Sequence, residues 1–235
     1  MSAQVVFADD SLFVTRDNRR GRPLLPVTAE SLNRRHGLLF PPKVVAGRSV
    51  LDLGCCIGAT GHWCMTLGAA RYTGVEHQAG YARQAARLLR GWSAARVVRR
   101  DAVSFAAADR GRYDVVAMLG VAHGLYDPLA LIRDAAACAR RYFCFEDFGP
   151  LSGDPVLVPW PGSRMNVAGE AAEDARGFGW RISAAAMEAI MAFLGFAADI
   201  KPVARTAERW LCRYVRVGAP AEAAAYSETR VPWKR

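Results

Sequence analysis

A glycine-spaced turn near residue 50 has the composition of a nucleotide-binding loop. The stretch VLDLGCCIGATG, residues 50–61, spaces its glycines as G-x-x-x-G-x-x-G. A dinucleotide-binding loop, G-x-G-x-x-G, brings its backbone close to a pyrophosphate, but here Cys56 stands where the second glycine would be, and Asp52 disfavours a phosphate. The loop therefore predicts either a plain strand-to-helix turn or a nucleotide-type ligand without a pyrophosphate. The predicted contacts of that ligand are Asp52, which could attract an ammonium group or fix the loop amides, and Gly54, Cys55, Cys56 and Gly58.

Two further acidic residues end the next two apolar runs. Glu76 follows the glycine loop by about twenty residues, where a carboxylate can accept hydrogen bonds from both hydroxyls of a ribose. Asp101 follows the next run, where an acid can accept a hydrogen bond from the exocyclic amine of an adenine. A solvated carboxylate is the alternative at Glu76, but the glycine loop and the spacing favour a ribose contact. The predicted ligand contacts in these segments and at the end of the following run are Glu76, His77, Asp101, Ala102 and Leu119.

Residues farther along the chain are candidates for the reacting end of the site. His123 lies in MLGVAHGLYDP, and an imidazole changes charge near neutral pH, which suits removal of a proton from a hydroxyl or an amine. Glu146, beside Asp147, is a candidate for orienting such a group. Both residues are also compatible with purely structural roles. The candidates for lining an acceptor pocket, with core packing as the alternative, are Tyr126, Trp160 and Trp180.

The scaffold that positions these residues is predicted by the order of apolar and amphipathic segments. From residue 48 onward they alternate as β-α-β units, which is typical of an α/β fold with a doubly wound, mostly parallel sheet. Ligands of such sheets bind outside the carboxyl ends of the strands. The predicted strands are residues 49–54, 71–76, 95–101, 113–120 and 141–147, followed by a strand pair at 199–205 and 210–218. The predicted helices are residues 29–40, 60–69, 79–92, 128–140 and 183–195, and residues 150–180 are predicted to be irregular.

Three regions are predicted along the chain. Residues 1–47 form a small N-terminal cap packed on the core, residues 48–218 form the core, and residues 219–235 form a tail. Within the cap, Thr28 or Ser31 is a candidate N-cap of a helix that the Pro41-Pro42 pair ends.

The charge of the chain limits the classes of partner. The 235 residues carry a formal net charge of +9, but only three of the 31 basic residues are lysines, which indicates a compositional bias toward arginine. The clusters RDNRRGR and LNRRHG leave open a nucleic-acid partner, with a solvated surface or a clamp for a small acidic ligand as the preferred interpretation. No apolar run reaches the ~18 residues that span a bilayer, so no membrane partner is expected. The N-terminus does not resemble a secretory signal, and a cytoplasmic location is expected.

The six cysteines do not predict a metal site. None of them forms a C-x-x-C pair, so no structural metal is expected. We interpret Cys55 and Cys56 as small fillers of a tight turn, with a redox pair or a soft-metal site as the alternative. The sequence carries no signal for an oligomeric state.

Taken together, the motifs resemble those of class I S-adenosylmethionine (SAM)-dependent methyltransferases. VLDLGCCIG resembles the first motif of that family, TGVE its second-strand acid, RRDA its adenine-side acid and YDVVAMLGVAHGLYDPL its fourth motif. These segments follow the family's order over residues 48–145. The resemblance implies a Rossmann-like methyltransferase fold with a seven-stranded sheet and an antiparallel last strand. It also implies SAM as the cofactor.

Within that family the chain resembles the branch of wobble-uridine carboxymethyl-transferring tRNA enzymes and many natural-product methyltransferases. The branch tends to carry L-G-V-L-Y-H-x-x-D-P where this chain has LGVAHGLYDP, so His123 occupies the position of the branch's tyrosine. The resemblance implies methyl transfer to an oxygen or nitrogen atom of a small-molecule acceptor. A tRNA-modifying methyl- or carboxymethyltransferase and a catalytically silent cofactor-binding protein remain alternatives. Arg34 or Arg35 is expected to reach the carboxylate of the cofactor's methionine part.

Overall fold

The structure is a computed structural model that describes residues 6–8, 28–109, 112–151, 153–161, 178–206 and 208–219. Its strands are β1 (Ser49–Leu53), β2 (Arg71–Val75), β3 (Ala95–Val98), β4 (Tyr113–Leu119), β5 (Ala139–Phe148), β6 (Leu157–Pro161), β7 (Phe178–Ile182), β8 (Phe196–Ala204) and β9 (Arg209–Arg216). Its α-helices are α1 (Ala29–Leu39), α2 (Pro42–Val45), α3 (Ala59–Thr66), α4 (Ala79–Leu89), α5 (Ala102–Ala108), α6 (Pro128–Cys138) and α7 (Ala184–Phe193).

Seven of the strands form one sheet in the order β3-β2-β1-β4-β5-β9-β8. The pairs among β1 to β5 are parallel, whereas β9 runs antiparallel to both β5 and β8. The predicted α/β fold, with a mostly parallel seven-stranded sheet and an antiparallel last strand, is therefore confirmed. Because β9 runs in the opposite direction, its first residue lies at the same edge of the sheet as the carboxyl ends of β4 and β5. We call this edge the rim.

Helices cover both faces of the sheet, as the alternation of strand side chains requires. One buried cluster joins Leu51 and Val116 to residues of α5, α6 and α7. The other joins Val50 and Val115 to residues of α1, α2, α3 and α4. Four helices begin at a polar N-cap whose side chain accepts a hydrogen bond from the amide three residues later, and these N-caps are Thr28, Asp101, Asp127 and Ser183.

Two segments differ from their sequence-based predictions. Part of the region predicted to be irregular, residues 150–180, forms an antiparallel hairpin in which β6 pairs with β7. Prolines at positions 159 and 161 argued against a strand, but a two-stranded sheet has an unpaired edge on each strand, where a proline needs no partner for an amide. The proline pair at positions 41 and 42 ends α1 as predicted, and Pro42 then begins the short helix α2.

A buried arginine of β9 binds the C-terminal end of helix α1 and holds this helix against the sheet. The Arg213 side chain is almost fully buried and donates hydrogen bonds to the carbonyl oxygens of Leu38 and Leu39, the latter at 3.0 Å. Its Nε lies 2.6 Å from a carboxylate oxygen of Asp199 on β8. The Phe7 ring packs between α1 and α3, 5.3 Å from the His36 ring centroid.

No helix in the described ranges combines the length and the apolar character needed to cross a membrane. The basic cluster RDNRRGR and most of the predicted tail lie outside the described residues.

A close approach between α3 and β2 makes position 61 intolerant of a side chain. A Cβ added to Gly61 would lie 2.7 Å from ring atoms of Tyr72 and 2.8 Å from Leu89. We therefore expect Gly61→Ala to destabilise the protein by about 1–3 kcal/mol, the usual cost of overpacking. The matched control is Gly80→Ala on α4, where an added Cβ meets nothing within 4 Å. This variant should be more stable than wild type by up to about 1 kcal/mol, because alanine favours a helix more than glycine does. Urea unfolding midpoints measure both changes. If the midpoints of both variants moved in the same direction, the packing argument would be contradicted.

Candidate active site

The glycine loop between β1 and α3 takes the left-handed backbone conformations that its composition allows. Gly54 and Gly58 have φ angles of +76° and +89°, and Cys56, which replaces the second glycine of a dinucleotide loop, also has a positive φ of 50°. Cys55 is buried and Cys56 is exposed. Burial raises the pKa of the Cys55 thiol well above its usual value, and the carboxylates of Asp52 and Glu76 raise it further. A reactive thiolate is therefore disfavoured at Cys55.

Glu76, at the end of β2, holds this loop in place. Its carboxylate accepts hydrogen bonds from the amide of Cys56 at 3.0 Å and from the amide of Gln78 at 2.8 Å. The Nδ1 atom of His77 lies 3.3 Å from the same carboxylate, and the His77 side chain is largely exposed. A carboxylate offers about four acceptor positions, so the two amide contacts leave capacity for further donors such as ribose hydroxyls.

Asp52 does not contact the loop amides in the way the sequence suggested. Its buried carboxylate accepts a hydrogen bond from the Tyr72 hydroxyl at 2.7 Å, and Glu76 takes the amide of Cys56 instead. Burial raises the pKa of Asp52 to about 6, while the hydrogen bond from Tyr72 and the charge of Arg35 oppose that rise. Asp52 thus lies in the interior just beneath the loop, within the electrostatic reach of α1.

The other predicted cofactor contacts lie at neighbouring strand ends. Asp101 is exposed, and its side chain accepts a hydrogen bond from the Ser104 amide at 2.9 Å as the N-cap of α5. The first residue of that helix, Ala102, is half-buried, as is Leu119 at the end of β4. The carboxyl ends of adjacent parallel strands therefore carry the loop, Glu76, Asp101 and Leu119 along one continuous edge.

His123 forms a pair with Asp147 at the rim. The His123 Nδ1 atom lies 2.5 Å from the Asp147 carboxylate, which also accepts a hydrogen bond from the His123 amide at 3.1 Å. The imidazole packs edge-on against the Phe148 ring, with centroids 4.8 Å apart. Asp147 is buried, whereas the His123 side chain is 18% exposed. When Nδ1 carries the proton and donates it to Asp147, Nε2 is the ring nitrogen with acceptor character.

Glu146, predicted to orient a substrate group, is instead fully buried among three arginines. Arg35 lies 3.5 Å from one carboxylate oxygen, and Arg205 and Arg209 face the other oxygen, Arg209 at 3.4 Å. We call Arg35, Arg205 and Arg209 the arginine cluster. Although burial opposes ionisation, these guanidinium groups hold the pKa of Glu146 below its usual value. Glu146 thus faces the arginine cluster, and Asp147, the next residue of β5, contacts His123.

Sequence reasoning missed both Arg205 and Arg209, which lie near the turn between β8 and β9. The signal that could have placed Arg209 is its position immediately before the predicted antiparallel strand, residues 210–218, whose first residues lie at the rim. Its guanidinium stacks over the Phe148 ring at 4.4 Å. At Gly120, which follows β4 with a φ of +73°, an added Cβ would come within 2.5 Å of that guanidinium. A glycine at position 120 thus lets Arg209 approach the end of β4.

Arg35 is the inward-facing member of the predicted pair, because Arg34 is exposed. The buried His36 ring lies against it, with Nε2 at 3.4 Å from a guanidinium nitrogen of Arg35 and Nδ1 at 2.8 Å from the carbonyl oxygen of Leu32. Burial lowers the pKa of His36 well below its usual value, and the charge of Arg35 adds to the effect. A neutral His36 that donates from Nδ1 and accepts at Nε2 therefore positions Arg35.

Of the predicted acceptor-pocket aromatics, two can be described. Tyr126 is 88% exposed, and its carbonyl oxygen accepts a hydrogen bond from the Trp180 indole at 3.0 Å. This bond ties the β6–β7 hairpin to the segment that follows His123. Trp160 belongs to β6, but its side chain lies outside what the structure describes.

Comparison with known families decides the class of the protein. A family model described as a methyltransferase domain matches residues 27–199. The chain belongs to this family. The match covers α1 and every strand end at the rim from β1 to β5, and it confirms the methyltransferase prediction. The particular branch stays a prediction, and no curated protein matches this chain.

Solved methyltransferases share the fold at low sequence identity. A putative SAM-dependent methyltransferase from Listeria monocytogenes is 13% identical with a TM-score of 0.63, covering 81% of this chain and 99% of that one. The 1,6-didemethyltoxoflavin-N1-methyltransferase of Burkholderia thailandensis is 15% identical with a TM-score of 0.58, covering 80% and 77%. Magnesium protoporphyrin IX methyltransferase from Synechocystis is 17% identical with a TM-score of 0.57, covering 83% and 90%. These methyltransferases have the same Rossmann-like fold as this chain.

Proposed function

We propose that the protein transfers a methyl group from SAM to an oxygen or nitrogen atom of a small-molecule acceptor. One observation carries the proposal: the Glu76-braced loop and the His123–Asp147 pair open on the same rim of a methyltransferase-family sheet. The Burkholderia enzyme was crystallised with bound 1,6-didemethyltoxoflavin and S-adenosylhomocysteine, and the Synechocystis enzyme with bound S-adenosylhomocysteine. Those complexes support both the choice of cofactor and a small acceptor.

The residues present fit SAM better than a phosphate-bearing cofactor. Carboxylates at the ends of β2 and β3, Glu76 and Asp101, are acceptors that suit ribose hydroxyls and an adenine amine. The buried Asp52 supplies negative charge beneath the loop, which favours a cationic ligand. Arg35, positioned by His36, suits the carboxylate of the methionine part.

The role of the protein in the reaction is alignment and proton removal. When bound, SAM supplies a methyl group on an already activated sulfonium, so proximity and orientation account for much of the rate. His123 Nε2 removes the proton from the hydroxyl or amine of the acceptor while the oxygen or nitrogen of that group takes the methyl group. Asp147, buried against Nδ1, holds the imidazole in this tautomer and stabilises the imidazolium that forms.

The tRNA alternative has less support from the described residues. The cluster LNRRHG forms part of α1. Its residues Arg35 and His36 face the protein interior, and Arg34 is exposed. A single exposed arginine there is a weak footprint for a polyanion, since nucleic-acid binding draws on several basic contacts. The small-molecule acceptor is therefore the preferred proposal.

Replacement of Glu76 tests the cofactor site. We expect Glu76→Gln to weaken S-adenosylhomocysteine binding about ten-fold or more, because an amide cannot accept from the loop and from two ribose hydroxyls at once. Isothermal titration calorimetry measures the affinity, with Glu188→Gln on the exposed surface of α7 as the control that should match wild type. Equal affinity in both variants would contradict the placement of the ribose. A wild-type protein that binds NADH and ignores S-adenosylhomocysteine would overturn the proposed function.

A further inference from the structure

The arginine cluster carries more positive charge than its surroundings neutralise. Three guanidinium groups, each less than one-fifth exposed, face the single carboxylate of Glu146. These four side chains sum to +2, and the carboxylate of Asp52, which also raises the pKa of Arg35, offsets part of that excess. Like charges held this close in a partly buried site repel one another unless further negative charge is present. The mutual effect is visible on Arg35, where burial lowers its pKa, Glu146 raises it, and the neighbouring Arg205 and Arg209 lower it further.

The cluster also holds more hydrogen-bond donors than Glu146 can accept. An arginine has five N–H donors and a carboxylate about four acceptor positions. The Nε atom of Arg35 is buried and has no hydrogen-bond partner among the described residues, and the buried Nε atom of Arg209 has no hydrogen bond there beyond its 3.4 Å ion-pair contact with Glu146. Buried donors without acceptors are costly, which indicates that an acceptor group is missing from this part of the site.

Cofactor binding does not remove the excess. If Arg35 takes the carboxylate of the methionine part, Arg205 and Arg209 still outweigh Glu146 by one charge. The sulfonium and ammonium groups of SAM add two positive charges nearby. An anionic group on the other reactant would supply compensating charge. Arg209 lies near the candidate base, because it stacks on Phe148, the ring that also packs against His123.

Two members of the cluster line a cavity that a small anion could enter. The cavity, of about 210 Å³, opens between α1 and the β8–β9 strand pair, and its walls include Arg35, Arg205 and the acidic Glu30 but not Arg209. Arg205 also lies within 3.4 Å of the Ser31 hydroxyl, which adds a neutral donor beside the guanidinium. Arg209 keeps 19% of its side chain exposed.

We propose that the methyl acceptor carries an anionic group, a carboxylate or a phosphate, which Arg209 and Arg205 bind beside the His123–Asp147 pair. This inference rests on the proposed function, because it concerns the second substrate of the same site. Arginine suits this role because its planar fork matches the oxygens of both groups. The positive charge of the site thus selects acidic acceptors over neutral ones of the same shape.

The test is calorimetry at low salt on protein saturated with S-adenosylhomocysteine. The probes are benzoate, phenyl phosphate and the uncharged benzamide. We expect at least one acid to bind about ten-fold or more tightly than benzamide, and Arg209→Gln to lose about ten-fold of that affinity. Arg209→Lys should keep part of it, and Arg83→Gln on the exposed face of α4 should keep all of it. The preferred acid distinguishes a carboxylate from a phosphate.

Three other results of this calorimetry would contradict an anionic acceptor. If neither acid binds better than benzamide, or if Arg83→Gln lowers the affinity as much as Arg209→Gln, the cluster is not an acceptor site. Steeply salt-dependent tRNA binding without acid binding would assign the charge to a nucleic acid instead. Wild type and Arg209→Gln should bind S-adenosylhomocysteine alike, which shows that the variant is folded. A failure of that binding in wild type would count against the proposed function rather than against the acceptor class.

Discussion

His123→Gln should lower kcat for methyl transfer about a hundred-fold or more, with little change in the affinity for S-adenosylhomocysteine. The imidazole is oriented by a 2.5 Å contact with the Asp147 carboxylate, and loss of a general base typically costs a factor of about 10²–10⁴. Asp147→Asn should reduce kcat less, about ten- to a hundred-fold, because His123 keeps its nitrogen but loses the anion that holds its tautomer. Transfer of labelled methyl groups from SAM to a panel of hydroxy- and aminobenzoates measures both effects.

A comparison of kcat with KM separates a general base from a structural histidine. His123→Gln should lower kcat while the KM for SAM stays close to wild type, because the imidazole acts on the proton of the acceptor and not on the cofactor. His62→Gln on α3 is the control and should keep the wild-type kcat, because the His62 ring packs edge-on against Trp92. Wild-type kcat in the His123 variant would remove this residue from the reaction.

Asp52→Asn should make the protein more stable at pH 7.5 while weakening its cofactor site. Burial raises the pKa of Asp52 from 3.8 to about 6, so the folded state holds a proton that the unfolded state has released. Stability therefore falls as the pH rises between these two values. Above pH 6, the ionised carboxylate costs up to about 3 kcal/mol, a cost that an amide avoids while still accepting the hydrogen bond from Tyr72.

Urea unfolding at pH 4 and pH 7.5 tests the sign of this effect. The gain in the Asp52 variant should be large at pH 7.5 and small at pH 4. Asp114→Asn is a control of opposite sign: although burial opposes it, hydrogen bonds from the amide and hydroxyl of Ser49 lower the pKa of Asp114. That variant should lose stability at pH 7.5. A pH-independent difference for Asp52→Asn would show that its charge does not oppose folding.

Much of the rim could be predicted from the chain because β-α-β order fixes which strand ends meet. Glu76, Asp101 and His123 follow separate apolar runs, and each lies at the expected edge of the sheet. The choice between Glu146 and Asp147 could not be made in advance. Successive side chains of a strand point to opposite faces, and the sequence does not say which face of β5 looks toward His123.

The arginine cluster was harder to predict because it depends on contacts between distant parts of the chain. Arg35 and Glu146 are 111 positions apart, and Arg205 and Glu146 are 59 apart. The periodic patterns that reveal helices and strands carry no information about such pairs. The β6–β7 hairpin was missed for a different reason, since prolines normally exclude a central strand and the sequence did not reveal an isolated pair.

The hydrogen bonds between Arg213 and α1 have a practical consequence for shortening this protein. A fragment that starts at the cap boundary, residue 48, would lose the carbonyl oxygens of Leu38 and Leu39 that this guanidinium requires. It would also uncover the apolar surface that α1 and α2 now shield. We therefore expect a fragment that starts at residue 48 to be less stable than the full chain, and deletion libraries or domain fusions should retain α1.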